Sequence, residues 1–417
     1  MQAANELPAA QAPRHASMRW PVVDDCLMIG GVSVEQLARR VGRTPFYAYE
    51  RAALADRVAE IRGHLPPGVE IHYAMKANPM PALVAFVARL VNGLDVASGR
   101  ELAVALDAGM AASEISFAGP GKSDAELGQA LAAGILVNVE STREIDILAR
   151  LSRESGRPAR IAVRVNPDFE LKSSGMKMSG GPKQFGIDAE RVPEALGLIA
   201  RHGLAFEGFH IFSGSQNLRA DAICEAQRKT IDLALDLARS APSAVRVINI
   251  GGGFGIPYFP GETPLDLAPI ATSLRELADK TRAALPDAKI VVELGRYIVG
   301  ECGIYVCRVI ERKVSRGHVF LITDGGLHHH LAASGNFGQV IRKNYPVVVG
   351  NRVQGTRREL ASVVGPLCTP LDVLADRMDL AEAREGDLVV VMQSGAYGAS
   401  ASPQGFLSHP APAEVLV

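Results

Sequence analysis

The sequence predicts an α/β protein: a (β/α)8 TIM barrel followed by a C-terminal all-β domain. Three observations predict it. From residue 70, short β-type runs alternate with amphipathic helical stretches. The first five of eight runs begin 22 to 23 residues apart, the length of one strand-plus-helix unit. After Arg296 the long helices cease and β-type runs follow one another directly. Eight such units favour a closed barrel over an open doubly wound sheet.

The barrel strands are expected at 70–77 (EIHYAMKA), 92–98 (NGLDVAS), 114–120 (EISFAGP), 136–141 (LVNVES), 159–167 (ARIAVRVNP), 206–214 (FEGFHIFSG), 245–253 (VRVINIGGG) and 289–296 (KIVVELGR). Between them lie helical stretches such as 81–90, 98–110 and 231–240, whose apolar residues recur at three and four. The second domain is expected to be built from 303–313, 318–326, 361–368, 387–397 and 413–417. Its polar-rich connection from Ser334 to Arg358 suits a lid or interface loop. The division is therefore a flexible tail over 1–20, a segment over 21–47 packed on the β-domain, the barrel over 48–296 and the β-domain over 297–417.

Charge and composition narrow the function. Forty-four Lys and Arg against 45 Asp and Glu leave a net charge of −1, with no cationic excess to attract nucleic acid or acidic lipid. Five scattered cysteines without a C-x-x-C pair argue against a disulfide framework or a zinc ribbon. The N-terminus lacks a secretory pattern, and the most apolar stretch, Ile290 to Ile310, is interrupted by Glu293, Arg296, Glu301 and Arg308. No membrane span is expected, and a reducing cytoplasm is the expected location.

Active sites of such barrels lie at the C-terminal strand ends, where this chain carries Lys76, Asp95, Ser98, Gly119, Glu140, Arg164, Asn166, His210, Ser213, Gly251 to Gly253, Glu293 and Arg296. Lys76 ends an apolar run. Burial there depresses its pKa and makes it a nucleophile for a carbonyl, unless it snorkels from the rim to solvent. The glycine run in INIGGGFG is either a plain turn or, with Arg296 at the next strand end, a phosphate cradle. It has neither the P-loop nor the dinucleotide spacing. Glu293 beside Lys76 suits the pyridine nitrogen of pyridoxal phosphate. His210 is either a stacking partner for that ring or a hydrogen-bonded core histidine.

Together these pieces resemble the pyridoxal-phosphate-dependent decarboxylases of the alanine-racemase-like fold, the diaminopimelate and ornithine decarboxylase family. YAMKAN, DVAS, FAGPGK, RVNP, FHIFSGSQ, GGGFG, ELGR, GPLC and SGAYG occur in the family's order from about residue 45 onward. The resemblance implies that Lys76 forms the Schiff base and His210 stacks on the cofactor. It places Ser213, Gly252, Gly253, Gly295, Arg296 and Tyr397 on the cofactor side and pairs Glu293 with the pyridine nitrogen. It also implies that either Cys368, supplied by the partner subunit of an obligate head-to-tail homodimer, or Lys76 returns a proton to the substrate carbon. The alternative for Cys368 is a plain thiol. Arg296, Thr369 and Tyr397 are expected on the substrate side.

The substrate side departs from diaminopimelate decarboxylases. They carry an acidic residue after the cysteine, where this chain has Thr369, and an arginine and a tyrosine after the Asp-Gly-Gly turn, where it reads DGGLHHHLAASGNFG. The segment GMKMSGGPKQFGID, the triple histidine and CTP are more similar to decarboxylases of carrier-protein-tethered glutamyl groups and to the exosortase A system-associated type, the nearer of the two. The substrate is thus an amino acid or a derivative of one. A tethered aminoacyl group is one alternative; a racemase on the same scaffold, disfavoured by Glu293, is another; a non-catalytic cofactor carrier is a third. Three adjacent histidines on an extended segment point to opposite faces and do not converge on one ion. His328, His329 and His330 are therefore expected in the substrate pocket or the dimer interface, with no metal site.

Overall fold

The computed structural model describes residues 15, 18–169, 176–177, 180–339 and 341–417. Most of the expected tail, and Gly175, Met178 and Ser179 of the GMKMSGGPKQFGID segment, lie outside the described residues.

Eight parallel strands close the barrel: β1 (Val69–Ala74), β2 (Gly93–Val96), β3 (Ile115–Phe117), β4 (Leu136–Val139), β5 (Arg160–Asn166), β6 (Ala205–Ile211), β7 (Val247–Gly252) and β8 (Lys289–Leu294). They pair in chain order, and β8 returns to β1 with Glu293 opposite His72. The helices between them begin where the sequence supplies caps. Ser98, Ser123 and Ser141 each accept a hydrogen bond from the backbone N–H three residues on, and Ser123 forms a reciprocal capping box with Glu126. Gly134, Gly156 and Gly203 end their helices in the left-handed region.

Buried Leu136, Ala162, Val247 and Val291 make an apolar layer inside the barrel. The barrel also buries polar His72, Asp95, Ser116, Asn138, Arg164, His210 and Glu293. The strands are also shorter than the apolar runs suggest. The first ends at Ala74, and Met75–Ala77 is a 3-10 turn, so Lys76 stands on the turn above the strand.

The second domain is a mixed sheet of β9 (Gly303–Ser315), β10 (His318–Thr323), β11 (Val347–Val349), β12 (Arg358–Val364), β13 (Val373–Ala381), β14 (Leu388–Val391) and β15 (Ala413–Leu416). A strand from before the barrel, Phe46–Tyr49, lies between β9 and β15, antiparallel to the first and parallel to the second. Short strands over Val22–Ser33 and the helix Val34–Val41 cover the same domain, where Leu27, Ile29 and Leu37 join Phe46, Ile304, Val306 and Val390 in one buried cluster.

Two strands of this domain correct the sequence expectation. Val347–Val349 falls inside the stretch expected to be a loop, and Val373–Ala381 carries exposed Asp376, Arg377 and Asp379 between buried apolar ends. Conversely, the strands expected over 361–368 and 387–397 stop at Val364 and Val391. Cys368 and Tyr397 therefore sit on turns, Tyr397 with a φ of 53°.

Candidate active site

The barrel's upper rim encloses a cavity of about 340 Å³ lined by Lys76, Asp95, Arg164, Glu293, Tyr397 and a set of small and aromatic residues. A narrower extension runs from Lys76 and Glu293 to Gly253, Gly295, Arg296 and Tyr397. Lys76 Nζ stands 3.7 Å from Glu293 Oε1, and its side chain is 45% exposed because it faces this cavity. The turn carrying it is fixed from both sides. Tyr73 donates to the Asn78 carbonyl at 2.8 Å, Asn78 Nδ2 donates to the Gly395 carbonyl at 2.9 Å, and the Tyr397 N–H donates to the Ala77 carbonyl at 2.8 Å. One short turn of the β-domain therefore locks the lysine and the tyrosine together.

Glu293 is buried, with His210 Nε2 3.1 Å from Oε2 and Asn249 Nδ2 donating to the same oxygen at 3.5 Å. Burial pushes its pKa up, but Lys76, His210 and Arg164 outweigh that and hold the carboxyl well below the ordinary range. The same pair reverses the expectation for Lys76. Burial lowers its pKa, but the Glu293 carboxylate and then Tyr397 more than compensate, so the amine is held protonated above its usual value.

Arg296 is clamped between two rings, its guanidinium 4.7 Å from the Tyr397 centroid and 5.4 Å from that of Tyr258, with Nη1 donating to the Tyr258 hydroxyl at 3.0 Å. Across the cavity, Arg164 Nη1 donates to Glu140 Oε1 at 2.8 Å, and Glu140 also accepts the N–H groups of Gly119 and Gly186.

These features accept the group that the sequence suggested. Nδ1 of buried His210 and Nε of Arg296 meet no protein hydrogen-bond partner among the described residues. A Cβ on Gly253 would lie 2.3 Å from the Gly214 carbonyl oxygen, and one on Gly252 would lie 2.1 Å from that of Glu293, so the turn admits only bare backbone. An amine, an ionised carboxylate, a flat imidazole and a cationic glycine-lined end fit pyridoxal phosphate.

Lys76, His210, Glu293, Gly253, Gly295, Arg296 and Tyr397 are thus brought together. Gly252 and Ser213 line a small neighbouring cavity instead. Cys368 is exposed, and neither it nor Thr369 lines the cavity of its own chain. The three histidines are corrected. His328, His329 and His330 are at most 1% exposed and lie in the β-domain core, where His329 and His330 use their Nε2 atoms on the Pro410 carbonyl and Ser394. Burial pushes their pKa values down to about 3, 4 and 3. Tyr258 and Asn249 were missed by sequence reasoning; the signal was their place beside the glycine run, in IPYF and INIG.

Comparison with known proteins follows this geometry. Residues 51–300 match the family described as "Pyridoxal-dependent decarboxylase, pyridoxal binding domain". The chain is 38% identical over 379 residues, 89% of its length and 88% of the relative's, to the L-glutamyl-[BtrI acyl-carrier protein] decarboxylase of Niallia circulans. It is 34% identical over 400 residues, 94% of its length and 91% of the relative's, to the diaminopimelate decarboxylase of Aquifex aeolicus. Among solved structures, diaminopimelate decarboxylase from Helicobacter pylori complexed with L-lysine superposes with a TM-score of 0.81 at 28% identity, covering 92% of this chain and 94% of that one.

Proposed function

Because the chain belongs to the pyridoxal-dependent decarboxylases, its reaction is the removal of carbon dioxide from an amino acid, and we propose that this runs in the Lys76 cleft with the roles below. Pyridoxal phosphate, when bound, supplies an aldehyde that takes an amine and a protonated ring that draws in the electron pair left by the carboxylate. Lys76 would hold the cofactor's aldehyde end, and its amine would serve as an acid–base group beside the reacting carbon. Glu293 keeps a proton on the pyridine nitrogen. An arginine at that position would not, so Glu293 favours decarboxylation over racemisation. His210 would help hold the ring. Arg296, steadied by Tyr258, holds the phosphate with the glycine N–H groups and Tyr397.

The observation that carries this reading is the Lys76–Glu293 pair, 3.7 Å apart on one cavity wall. The test is carbon dioxide release from meso-diaminopimelate, lysine, ornithine, arginine and glutamate loaded on an acyl-carrier protein, with Lys76→Ala as the blank. Turnover of at least one substrate, lost in Lys76→Ala, is expected. Undiminished turnover by that variant rejects the roles given.

A carrier-bound substrate is favoured by the cleft wall. Phe185, Phe212 and Phe337 line it, and Arg164 is tied to Glu140, so among the described lining residues no uncommitted cation faces a distal carboxylate. Faster turnover of free diaminopimelate than of the carrier-bound group would reject that substrate.

We also propose a head-to-tail homodimer in which Cys368 of the partner subunit protonates the substrate carbon. Supporting this, exposed Phe337 lines the cavity and exposed Leu371 lies on the Cys368 turn, and Asn336 Nδ2 bridges to the Leu371 carbonyl at 3.4 Å. A reducing cytoplasm suits five unpaired cysteines. Among the described residues, no helix is long and apolar enough to cross a membrane.

A further inference from the structure

Behind the glycine cradle, on the side turned away from the cleft, Gln227 projects from the helix Ala220–Leu237. It is 4% exposed. Among the buried side-chain amides described, it alone has both its oxygen and its nitrogen without a protein partner. Buried amides are paired in folded proteins, so a glutamine held this way is expected to serve something beyond packing.

Gln227 faces a cavity of about 10 Å³, the size that admits one water molecule, walled by Ser213, Gly214, Thr230 and Gly252 among others. The wall is shared. Ser213 and Gly214 continue to Ser215, and Gly252 continues to Gly253, and those next residues line the cofactor end of the cleft. The geometry of a planar trans peptide then decides what the back of the cradle needs. A peptide that aims its N–H at an anion aims its carbonyl the opposite way, toward the rear. Asn217 already donates its N–H to the Gly253 carbonyl at 2.9 Å. Gln227 lies on the rear side, where Ser213, Gly214 and Gly252 wall the small cavity that its amide faces.

We propose that Gln227, acting through one bound water, braces the 213–215 and 251–253 loops from behind and so positions their N–H groups for the cofactor's phosphate. This makes it a positioning residue for phosphate recognition, and the inference rests on the cofactor reading above.

The test compares two aldehydes that differ only in the phosphate. Equilibrium binding of pyridoxal 5'-phosphate and of pyridoxal is measured by absorbance for the full-length wild type and for Gln227→Leu, with melting temperature as a fold check. Gln227→Leu is expected to raise the Kd of the phosphorylated form about tenfold, the worth of one hydrogen bond, and that of pyridoxal by less than about twofold. Gln227→Glu keeps the shape but only accepts hydrogen bonds and adds negative charge. It is expected to weaken the phosphorylated form further while sparing pyridoxal, and it carries the test should the leucine variant not fold. Equal weakening of both aldehydes, or no change in either, overturns the proposal. A wild type that binds neither aldehyde defeats the cofactor reading, and this inference with it.

Discussion

At the scale of single residues, Lys76 must shed a proton before it can take an aldehyde, and Glu293 opposes that loss. Only the neutral amine attacks, so with a raised pKa its fraction is small at neutrality and grows about tenfold per pH unit. Cofactor capture by the wild type, followed by stopped-flow absorbance, is therefore expected to accelerate steadily between about pH 7 and 9. Glu293→Gln removes the largest influence that keeps the amine protonated, so capture at pH 7 should quicken. Decarboxylation should nevertheless fall about 100- to 1000-fold, because the ring loses its protonating partner. Slower capture by that variant would contradict the assignment. The sequence made Lys76 and Glu293 legible through their places at strand ends, but it gave the wrong sign for the lysine. An apolar run says that a side chain is buried and says nothing of a carboxylate from a strand more than two hundred residues later in the chain. Tyr258 was illegible for the same reason, since its contact with Arg296 exists only after the barrel closes.

At the scale of elements, an interior ladder ties four adjacent strands together. His72 Nδ1 on β1 meets Asp95 Oδ1 on β2 at 3.3 Å, Ser116 on β3 donates to that same oxygen, and Asn138 Nδ2 on β4 donates to Ser116 at 3.0 Å. Toward the lower mouth, Lys289 bridges Glu70 and Glu114 at 2.8 and 2.9 Å, and His72 Nε2 lies 3.8 Å from Glu70. Burial lowers the His72 pKa, but Asp95 and Glu70 raise it to about 9. A folded-state value above the unfolded 6.5 gives stability that is complete below about pH 6.5 and gone above about pH 9. Chemical denaturation should thus show a loss of about 3 kcal/mol across that window, and His72→Phe should flatten it. An unchanged slope in the variant would remove His72 as the cause. The eight barrel strands were readable because each parallel strand is buried on both faces and appears as an apolar run, the first five at regular spacing. Val373–Ala381 was not, because its charged residues face water and mimic a loop. The short Val347–Val349 strand takes its identity from pairing with β14 rather than from its own composition.

At the scale of the whole molecule, the β-domain both completes one cleft and presents Cys368 away from it. It reaches over the barrel through the Ser394–Tyr397 turn, which hydrogen-bonds to the Lys76 turn. The Cys368 turn is stiffened from beneath by Asp372, which accepts the N–H groups of Leu327 and Leu367 at 2.6 and 2.8 Å. If the partner subunit completes the site, Lys76→Ala and Cys368→Ala are each defective alone, but mixed dimers contain one intact site. Equal mixing should then recover about a quarter of wild-type activity, and no recovery would place the cysteine outside the shared site. The domain order was legible as a change of pattern after Arg296, whereas the proposed homodimer came from the family resemblance alone, because spacing within one chain carries no sign of a subunit interface. The most direct test of the central claim is borohydride reduction of the protein incubated with pyridoxal phosphate, followed by peptide mass spectrometry. The cofactor's mass is expected on the peptide bearing Lys76; its attachment to a different lysine, or to none, would contradict the account.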